Sequence, residues 1–236
     1  MPHNIICTIC ARGGSKGVPN KNARIVAGRP LLSHTVNQAR SSGLFDCIAF
    51  SSDSADYRRL AGQAGADLLI GRPDELANDA AGKIPVIRHC VEHAELATGT
   101  TFDLIIDLDC TSPLRLIDDI VACVELVKKE SVNNVITAAP ARRSPYFNLV
   151  ERTEEGRIDL ARKPARPILR RQDAPECFDM NASIYAWTRA ALFEREGLFH
   201  PDTALHVMPE ERSIDIDSEL DFEIVSLLLE RRESQL

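Results

Sequence analysis

Short apolar runs separated by segments of helical periodicity recur along most of the chain, and polar or glycine-containing stretches bound each run. The run Ile5 to Cys10 reads as a first strand, followed by a polar, glycine-rich stretch to Asn22 and a helix-like segment from about Pro30 to Arg40. Strand-like runs at Cys47 to Ser51, Asp67 to Ile70, Leu104 to Leu108 and Val135 to Ala138 alternate with helical segments at Ala55 to Ala64, Ile84 to Leu96 and Ile117 to Lys128. Strands that alternate with helices imply parallel crossovers. The pattern therefore predicts an α/β fold, an open and mostly parallel Rossmann-like sheet with helices on both faces. From about Pro140 to Met180 the alternation breaks, and prolines at 140, 145, 164, 167 and 175 stand among eight arginines with little helical period. This stretch is expected to be an inserted subregion, after which strands at Ala182 to Trp187 and Leu205 to Met208 and a last helix from about Glu219 to Arg231 resume the pattern.

At 236 residues the chain can bury one sizeable core, so a single domain spanning residues 1–236 is expected. With 44% hydrophobic and 27% charged residues it has the composition of a globular protein rather than a disordered one. No apolar run reaches the roughly 18 to 20 residues that a membrane helix needs, and Met1-Pro2-His3-Asn4 lacks the basic opening of a signal peptide, so a cytoplasmic location is expected. The net charge of -7 argues against nucleic acid as a partner, and any anion site must then be a local cluster of cations. Seven cysteines, an odd and scattered set, read as reduced thiols. Cys7 and Cys10 have CxxC spacing, but on a strand residues three apart point to opposite faces, which favours packing over metal binding.

Three clusters carry candidate chemistry. Directly after the first strand comes Ala11-Arg12-Gly13-Gly14-Ser15-Lys16-Gly17-Val18-Pro19-Asn20-Lys21-Asn22, where glycines let backbone N–H groups approach a phosphate chain and three cations face it. It is neither a Walker A loop nor a GxGxxG turn, yet it follows a strand at the edge where open sheets bind ligands. Second, Asp215-Ile216-Asp217 precedes the final helix and can offer hard oxygen ligands to magnesium, although Asp217 alternatively caps that helix. Third, Arg142, Arg143, Arg170, Arg171, Gln172 and Asn181 form a polar and cationic set suited to a carboxylate or phosphate. His89-Cys90-Val91-Glu92-His93 also spells the HxxEH of inverted zinc peptidases, but such a site needs a third ligand from elsewhere, and a surface or packing role is favoured.

Taken in order, the loop Ala11 to Asn22, Arg72-Pro73, Leu76-Ala77-Asn78-Asp79, Thr111-Ser112-Pro113-Leu114-Arg115, Arg171-Gln172, Asn181-Ala182-Ser183-Ile184-Tyr185 and Asp215-Ile216-Asp217 resemble the acylneuraminate cytidylyltransferases over almost the whole chain. Within that family the chain is most similar to the legionaminic acid branch. That likeness is carried by Cys7-Thr8-Ile9-Cys10, by Ile106-Asp107-Leu108-Asp109, by Pro140 to Leu149, and by Asp179-Met180-Asn181-Ala182-Ser183. Where the sialic acid branch reads Leu-Gln-Pro-Thr-Ser-Pro, this chain has Asp109 and Cys110 in place of the Gln and the Pro, which points away from acetylneuraminate.

The resemblance implies a homodimer that uses CTP and magnesium to activate a nine-carbon acidic sugar. It implies that Ala11, Arg12, Gly13, Ser15, Lys16, Lys21 and Asn22 hold the nucleotide, with Arg72 and the Ala80 region facing cytosine. Asp109, Arg171, Gln172, Asn181 and Tyr185 would lie near the sugar, and Asp215 and Asp217 would hold Mg2+. Arg12, Lys21 and Asp217 are the expected catalytic groups, acting by positioning and by charge neutralisation as CMP moves. For Asp109 two roles are open, a place in the magnesium shell or a hydrogen-bond acceptor for the sugar's N–H groups, beside the plainer one of ending its strand on backbone amides. Acetylneuraminate and pseudaminate are the alternative acceptors, and a catalytically silent sugar-nucleotide binding module is the alternative to an enzyme.

Overall fold

A computed structural model describes residues 3–14, 17–78, 81–164, 166 and 168–234. Its strands are β1 (Ile5–Cys10), β2 (Ile25–Val26), β3 (Arg29–Pro30), β4 (Cys47–Ser52), β5 (Leu68–Gly71), β6 (Leu104–Leu108), β7 (Asn134–Pro140), β8 (Val150–Arg152), β9 (Ile158–Leu160), β10 (Phe178–Thr188) and β11 (Thr203–Val207). The helices are α1 (Leu31–Ser42), α2 (Ala55–Gln63), α3 (Lys83–Thr98), α4 (Ile117–Val127), α5 (Arg189–Glu194) and α6 (Glu219–Glu233).

Seven strands form one sheet in the order β11-β7-β10-β6-β1-β4-β5. All neighbours are parallel except β10, which runs antiparallel to both β6 and β7. Side chains alternate across β1: Ile5, Cys7 and Ile9 join one core layer, whereas Ile6 and Cys10 face the other. The first layer packs under α1, α2 and α4 through residues such as Val36, Ala61 and Ile120; the second packs under α3 and α5 through Ile87, Val91 and Leu192. The two cysteines of the CxxC spacing thus lie on opposite faces, and both are free thiols.

The chain leaves β1 for β4 on one side and reaches β6 on the other, so the crevice at the carboxyl ends of β1 and β6 is the topological switch point. Both the glycine-rich loop and Asp109 emerge there. A third apolar cluster joins Val18 of that loop and Val26 of the β2–β3 hairpin to Ile216 and to Phe222, Val225 and Leu229 of α6. This cluster clamps the loop against the segment that carries Asp215 and Asp217.

Among the described residues between β7 and β10 stand a single 3-10 turn at Arg171–Asp173 and a small β8–β9 hairpin outside the main sheet. Val150 and Ile158 on it are 57% and 59% exposed, and Leu169 is 84% exposed, so the subregion does not bury its own apolar side chains. Most expected boundaries move by one to four residues: the strand read as Leu205 to Met208 is Thr203–Val207, and the one read as Val135 to Ala138 is Asn134–Pro140. The strand read as Ala182 to Trp187 extends back to Phe178, because a bulge at Ala182 (φ 51°) lets the chain re-pair with β7 beyond the irregularity. The helix read from Ile84 begins at Lys83.

Candidate active site

The loop after β1 is held in place before any ligand is considered. Ala11 N–H donates to Ser51 O at 3.0 Å, and Gly13 N–H donates to Asp53 Oδ1 at 2.9 Å, which ties the loop to the end of β4. Gly17 comes so close to Asp217 that a Cβ there would run into the Asp217 carbonyl oxygen. Lys21 is mostly buried, donates to Ile216 O, and lies 3.9 Å from Asp217 Oδ1. The loop and the Asp215 to Asp217 segment are therefore one unit.

Asp217 does not cap α6. Ser218 does, accepting from Asp221 N–H at 3.3 Å while the Asp221 carboxylate accepts from Ser218 N–H at 2.8 Å, a reciprocal capping box. Asp217 is left with its side chain 83% exposed. Asp215 is partly buried, and its Oδ1 has no hydrogen-bond partner among the described residues. Burial raises the pKa of Asp215, with the charges of Asp109 and Asp217 adding to the effect while Thr111 and Lys21 oppose it. An unsatisfied, buried carboxylate oxygen beside a second, exposed carboxylate fits a hard divalent cation better than it fits a protein hydrogen bond.

Two cavities meet at this pair. One, of about 440 Å³, has Arg12, Lys21, Arg72 and Lys83 in its wall. The other, of about 790 Å³, is walled by Arg142, Asp179, Asn181 and Glu210. Asp215 and Asp217 belong to both. Of the expected nucleotide residues, Ala11, Arg12, Lys21, Asn22 and Arg72 line the first cavity, while Gly13 sits in the loop bonded to Asp53. Ser15, Lys16 and Ala80 lie outside the described residues.

The expected sugar set is not assembled as such. Asn181 is 6% exposed and its amide is taken up by the protein: Oδ1 accepts from Thr137 Oγ1 at 2.7 Å and from Ser183 N–H at 3.2 Å, and Nδ2 donates to Ser213 Oγ at 2.9 Å. It supports the segment that leads to Asp215. Tyr185 is 3% exposed, stacked on Trp187, and lines neither cavity. Arg171 and Gln172 also line neither cavity; they sit on an exposed turn where Arg171 donates to Ala141 O at 2.6 Å. Of the four, Asn181 alone lines a cavity; burial and stacking hold Tyr185 in the core, and Arg171 and Gln172 stand exposed apart from both cavities.

Asp109 lines the first cavity but is already engaged. Its Oδ1 accepts from Thr111 N–H at 3.0 Å and Thr111 Oγ1 at 2.9 Å, and its Oδ2 pairs with Lys83 Nζ at 2.7 Å. Burial acts to raise its pKa, but Lys83 and Thr111 outweigh that and hold the carboxyl well below the usual range. Lys83 in turn lies 3.2 Å from Asp107 Oδ2. Beneath them the wholly buried Arg115 donates to Asp109 O and, at 3.2 Å, to Ser183 Oγ, fixing the turn after β6. Lys83 was not singled out by the sequence, and Arg115 was quoted only within the motif Thr111 to Arg115, with no role. A lysine at the first position of a helix opposes the helix dipole, and that anomaly was the available signal.

His89 and His93 stack with ring centroids 4.0 Å apart on α3. Among the described residues no group of three or more His, Cys, Asp or Glu side chains is placed to hold a metal, and the peptidase motif has no third ligand among them.

A switch-point crevice with a cation-bearing loop on one side and a carboxylate pair on the other is the place where open α/β sheets bind ligands. Residues 6–202 match the family described as Cytidylyltransferase, and the chain belongs to that family. It is 44% identical over 95% of its length to the CMP-N,N'-diacetyllegionaminic acid synthase of Campylobacter jejuni, covering 94% of that protein. It is 41% identical over 98% of its length to the Post-translational flagellin modification protein B of Campylobacter coli, covering 97% of it. An N-acylneuraminate cytidylyltransferase of Streptococcus agalactiae is 31% identical over 92% of this chain and 51% of its own length. The fold is shared with a CMP:2-keto-3-deoxy-manno-octonic acid synthetase solved with CTP, at a TM-score of 0.70 and 15% identity, covering 97% of this chain and 99% of the other.

Proposed function

We propose that this chain transfers CMP from CTP to the anomeric hydroxyl of a nine-carbon 2-keto acid sugar of the legionaminic acid type, releasing pyrophosphate. The observation that carries the reading is the carboxylate pair shared by two cavities, because a transfer between two substrates needs one point where both reach the same groups. The relative at 44% identity, named for the diacetyllegionaminic acid reaction, supports the choice of acceptor.

In this reading the cavity lined by Arg12 and Lys21 takes the nucleotide, and the cavity beside Asn181 takes the sugar. The anomeric hydroxyl gives its proton to water as its oxygen attacks the α-phosphorus in line, the bond to the β-phosphate oxygen breaks, and pyrophosphate leaves with the electron pair. Arg12 and Lys21 neutralise charge as it moves to the leaving group. Asp215 and Asp217 fit Mg2+, which when bound would neutralise phosphate charge and make the attacking hydroxyl more acidic. Lys21, bonded to Ile216 O, keeps the loop and the carboxylate pair in register. No histidine base is required.

The second cavity collects Asp179, Glu210, Glu211 and Asp221 against one arginine, Arg142, which itself pairs with Glu210. An acid sugar needs more positive charge than that. The arginine-rich 140–180 subregion of a second copy would supply it, which supports a homodimer and gives the exposed Leu149, Val150 and Ile158 a surface to cover. A dimer of this kind would work where CTP is made, in the cytoplasm.

The deciding experiment is pyrophosphate release from CTP with a panel of nine-carbon acids. The expected result is turnover dependent on Mg2+ and fastest with legionaminic acids. Faster turnover with acetylneuraminate or pseudaminate would refute the acceptor assignment, and no turnover with any acid would refute the enzyme. Light scattering during turnover should give a dimer; a fully active monomer would remove the role of the second copy.

A further inference from the structure

Lys83 opens α3, at the positive end of the helix dipole, and no acidic side chain occupies that first turn. Its ammonium lies 2.7 Å from Asp109 Oδ2, 3.2 Å from Asp107 Oδ2 and 4.6 Å from the centre of the Tyr185 ring. Asp107 is 1% exposed and accepts from the Thr8 hydroxyl at 2.8 Å. Two carboxylates therefore face one ammonium beneath the cavity floor. Buried charge clusters cost desolvation that apolar packing at the same place would not, so stability alone gives no reason for this one. Its position gives a reason, because Lys83, Asp109 and Thr111 all line the nucleotide cavity.

Along that cavity Arg12 and Lys21 mark the polyphosphate end. Leu76, Ala81 and Val86, with Arg72 beside them, make an end with apolar walls suited to a flat ring. Lys83 is tied to both sets: it follows Ala81 by two positions, and its partner Asp109 is bonded to Thr111, whose carbonyl accepts from Ile216 N–H at 3.0 Å next to Asp215. In a nucleoside triphosphate the unit between the ring and the phosphates is the ribose. We propose that Lys83 and Asp109 together recognise the ribose hydroxyls and make the site selective for ribonucleotides over 2′-deoxyribonucleotides.

The donor and acceptor inventory suits this. Asp109 takes one of the three N–H groups of Lys83 in a hydrogen bond and Asp107 Oδ2, 3.2 Å away, is an ion-pair partner only, which leaves the ammonium able to donate to a hydroxyl oxygen. Asp109 Oδ1 accepts twice from Thr111, whereas Oδ2 accepts from Lys83 and retains a lone pair for a hydroxyl proton. A ribose hydroxyl is donor and acceptor at once, and an adjacent ammonium and carboxylate satisfy both roles. Asp107 is then a positioning residue, holding the ammonium from the buried side.

This inference rests on the nucleotide reading above, and binding measured without any acceptor sugar separates the two. The purified chain is titrated calorimetrically with CTP and with 2′-deoxy-CTP in magnesium chloride. Wild type should bind CTP about 10- to 100-fold more tightly, the range for hydrogen bonds to charged groups. Lys83→Met should bring the ratio below about threefold. Because that variant leaves Asp107 buried without its partner, the Lys83→Met/Asp107→Asn double variant is measured beside it, with thermal unfolding as the check on folding. Binding of CTP by wild type without discrimination, or a wild-type ratio retained in a folded variant, overturns the inference alone. A chain that binds neither nucleotide overturns the proposed function and this inference with it.

Discussion

Asp119 tests whether the carboxylate pair is held by a charge network outside the cavities. It lies in the first turn of α4, 3% exposed, and its oxygens accept from Arg212 Nε at 3.1 Å and Nη2 at 2.9 Å, from Leu116 N–H at 2.8 Å, and pair with His206 Nε2 at 3.1 Å. Arg212 stands three residues before Asp215. Burial acts to raise the Asp119 pKa, but His206, the Leu116 amide and Arg212 outweigh it and bring the carboxyl from its ordinary 3.8 to about 2. A carboxyl that is more acidic folded than unfolded stabilises the fold above its unfolded pKa, and this stability is lost as pH falls through the folded pKa. The difference is worth roughly 2 kcal/mol at pH 7, at about 1.4 kcal/mol per pH unit, and it fades between about pH 4 and pH 2. Asp119→Asn keeps the shape but removes the charge from Arg212, so urea unfolding at pH 7 should show a loss of about 2 to 4 kcal/mol, or ~4 to 16 °C in Tm. The gap from wild type should narrow below pH 4. With the Arg212 to Asp217 segment loosened, the magnesium concentration for half-maximal rate should rise. A variant within about 0.5 kcal/mol of wild type at pH 7, or a gap that persists unchanged to pH 2.5, would show that the network does not do this.

Asp217→Asn should lower kcat by at least about 100-fold at saturating magnesium, and wild-type kcat there would refute a metal role for the exposed carboxylate. Gly17→Ala pushes the Asp217 carbonyl away from the loop; displacement of that segment by the order of 1 Å should cost about 100-fold in kcat with folding intact, and unchanged kcat would refute the close approach. Asp109→Gln, which loses the charge that Lys83 faces, should weaken turnover equally on legionaminic and acetylneuraminic acids without rescue by added magnesium. A loss confined to one sugar would restore Asp109 to the acceptor pocket, and rescue by magnesium would restore it to the metal shell.

The sheet was legible because its strands bury both faces. Ile5 to Cys10 and Leu104 to Leu108 are runs with almost no polar interruption, and both sets of bounds recur in the fold. Elements that bury little were not legible. The β8–β9 hairpin is mostly exposed, so no alternation marks it, and α5 has six residues, too few for a helical period to stand out. The backward extension of β10 depends on the bulge at Ala182, a left-handed residue that no composition rule places in a strand.

The site was half legible for a related reason. The loop cations and the carboxylate pair are short-range signals, each contained within a dozen residues, and the fold brings them together at the switch point. Asn181 and Tyr185 stand in motifs equally well, but what they do depends on partners far along the chain: Thr137 and Ser213 for the amide, Lys83 for the ring. A motif reports that a position is constrained and leaves open whether a ligand or the core imposes the constraint. Lys83 shows the converse. It belongs to no motif, yet it stands where a helix disfavours a cation, and only the two carboxylates on and after β6 make the position tolerable. A residue type set against its local preference implies a long-range partner, and here following that implication from Lys83 leads to the floor of the nucleotide cavity.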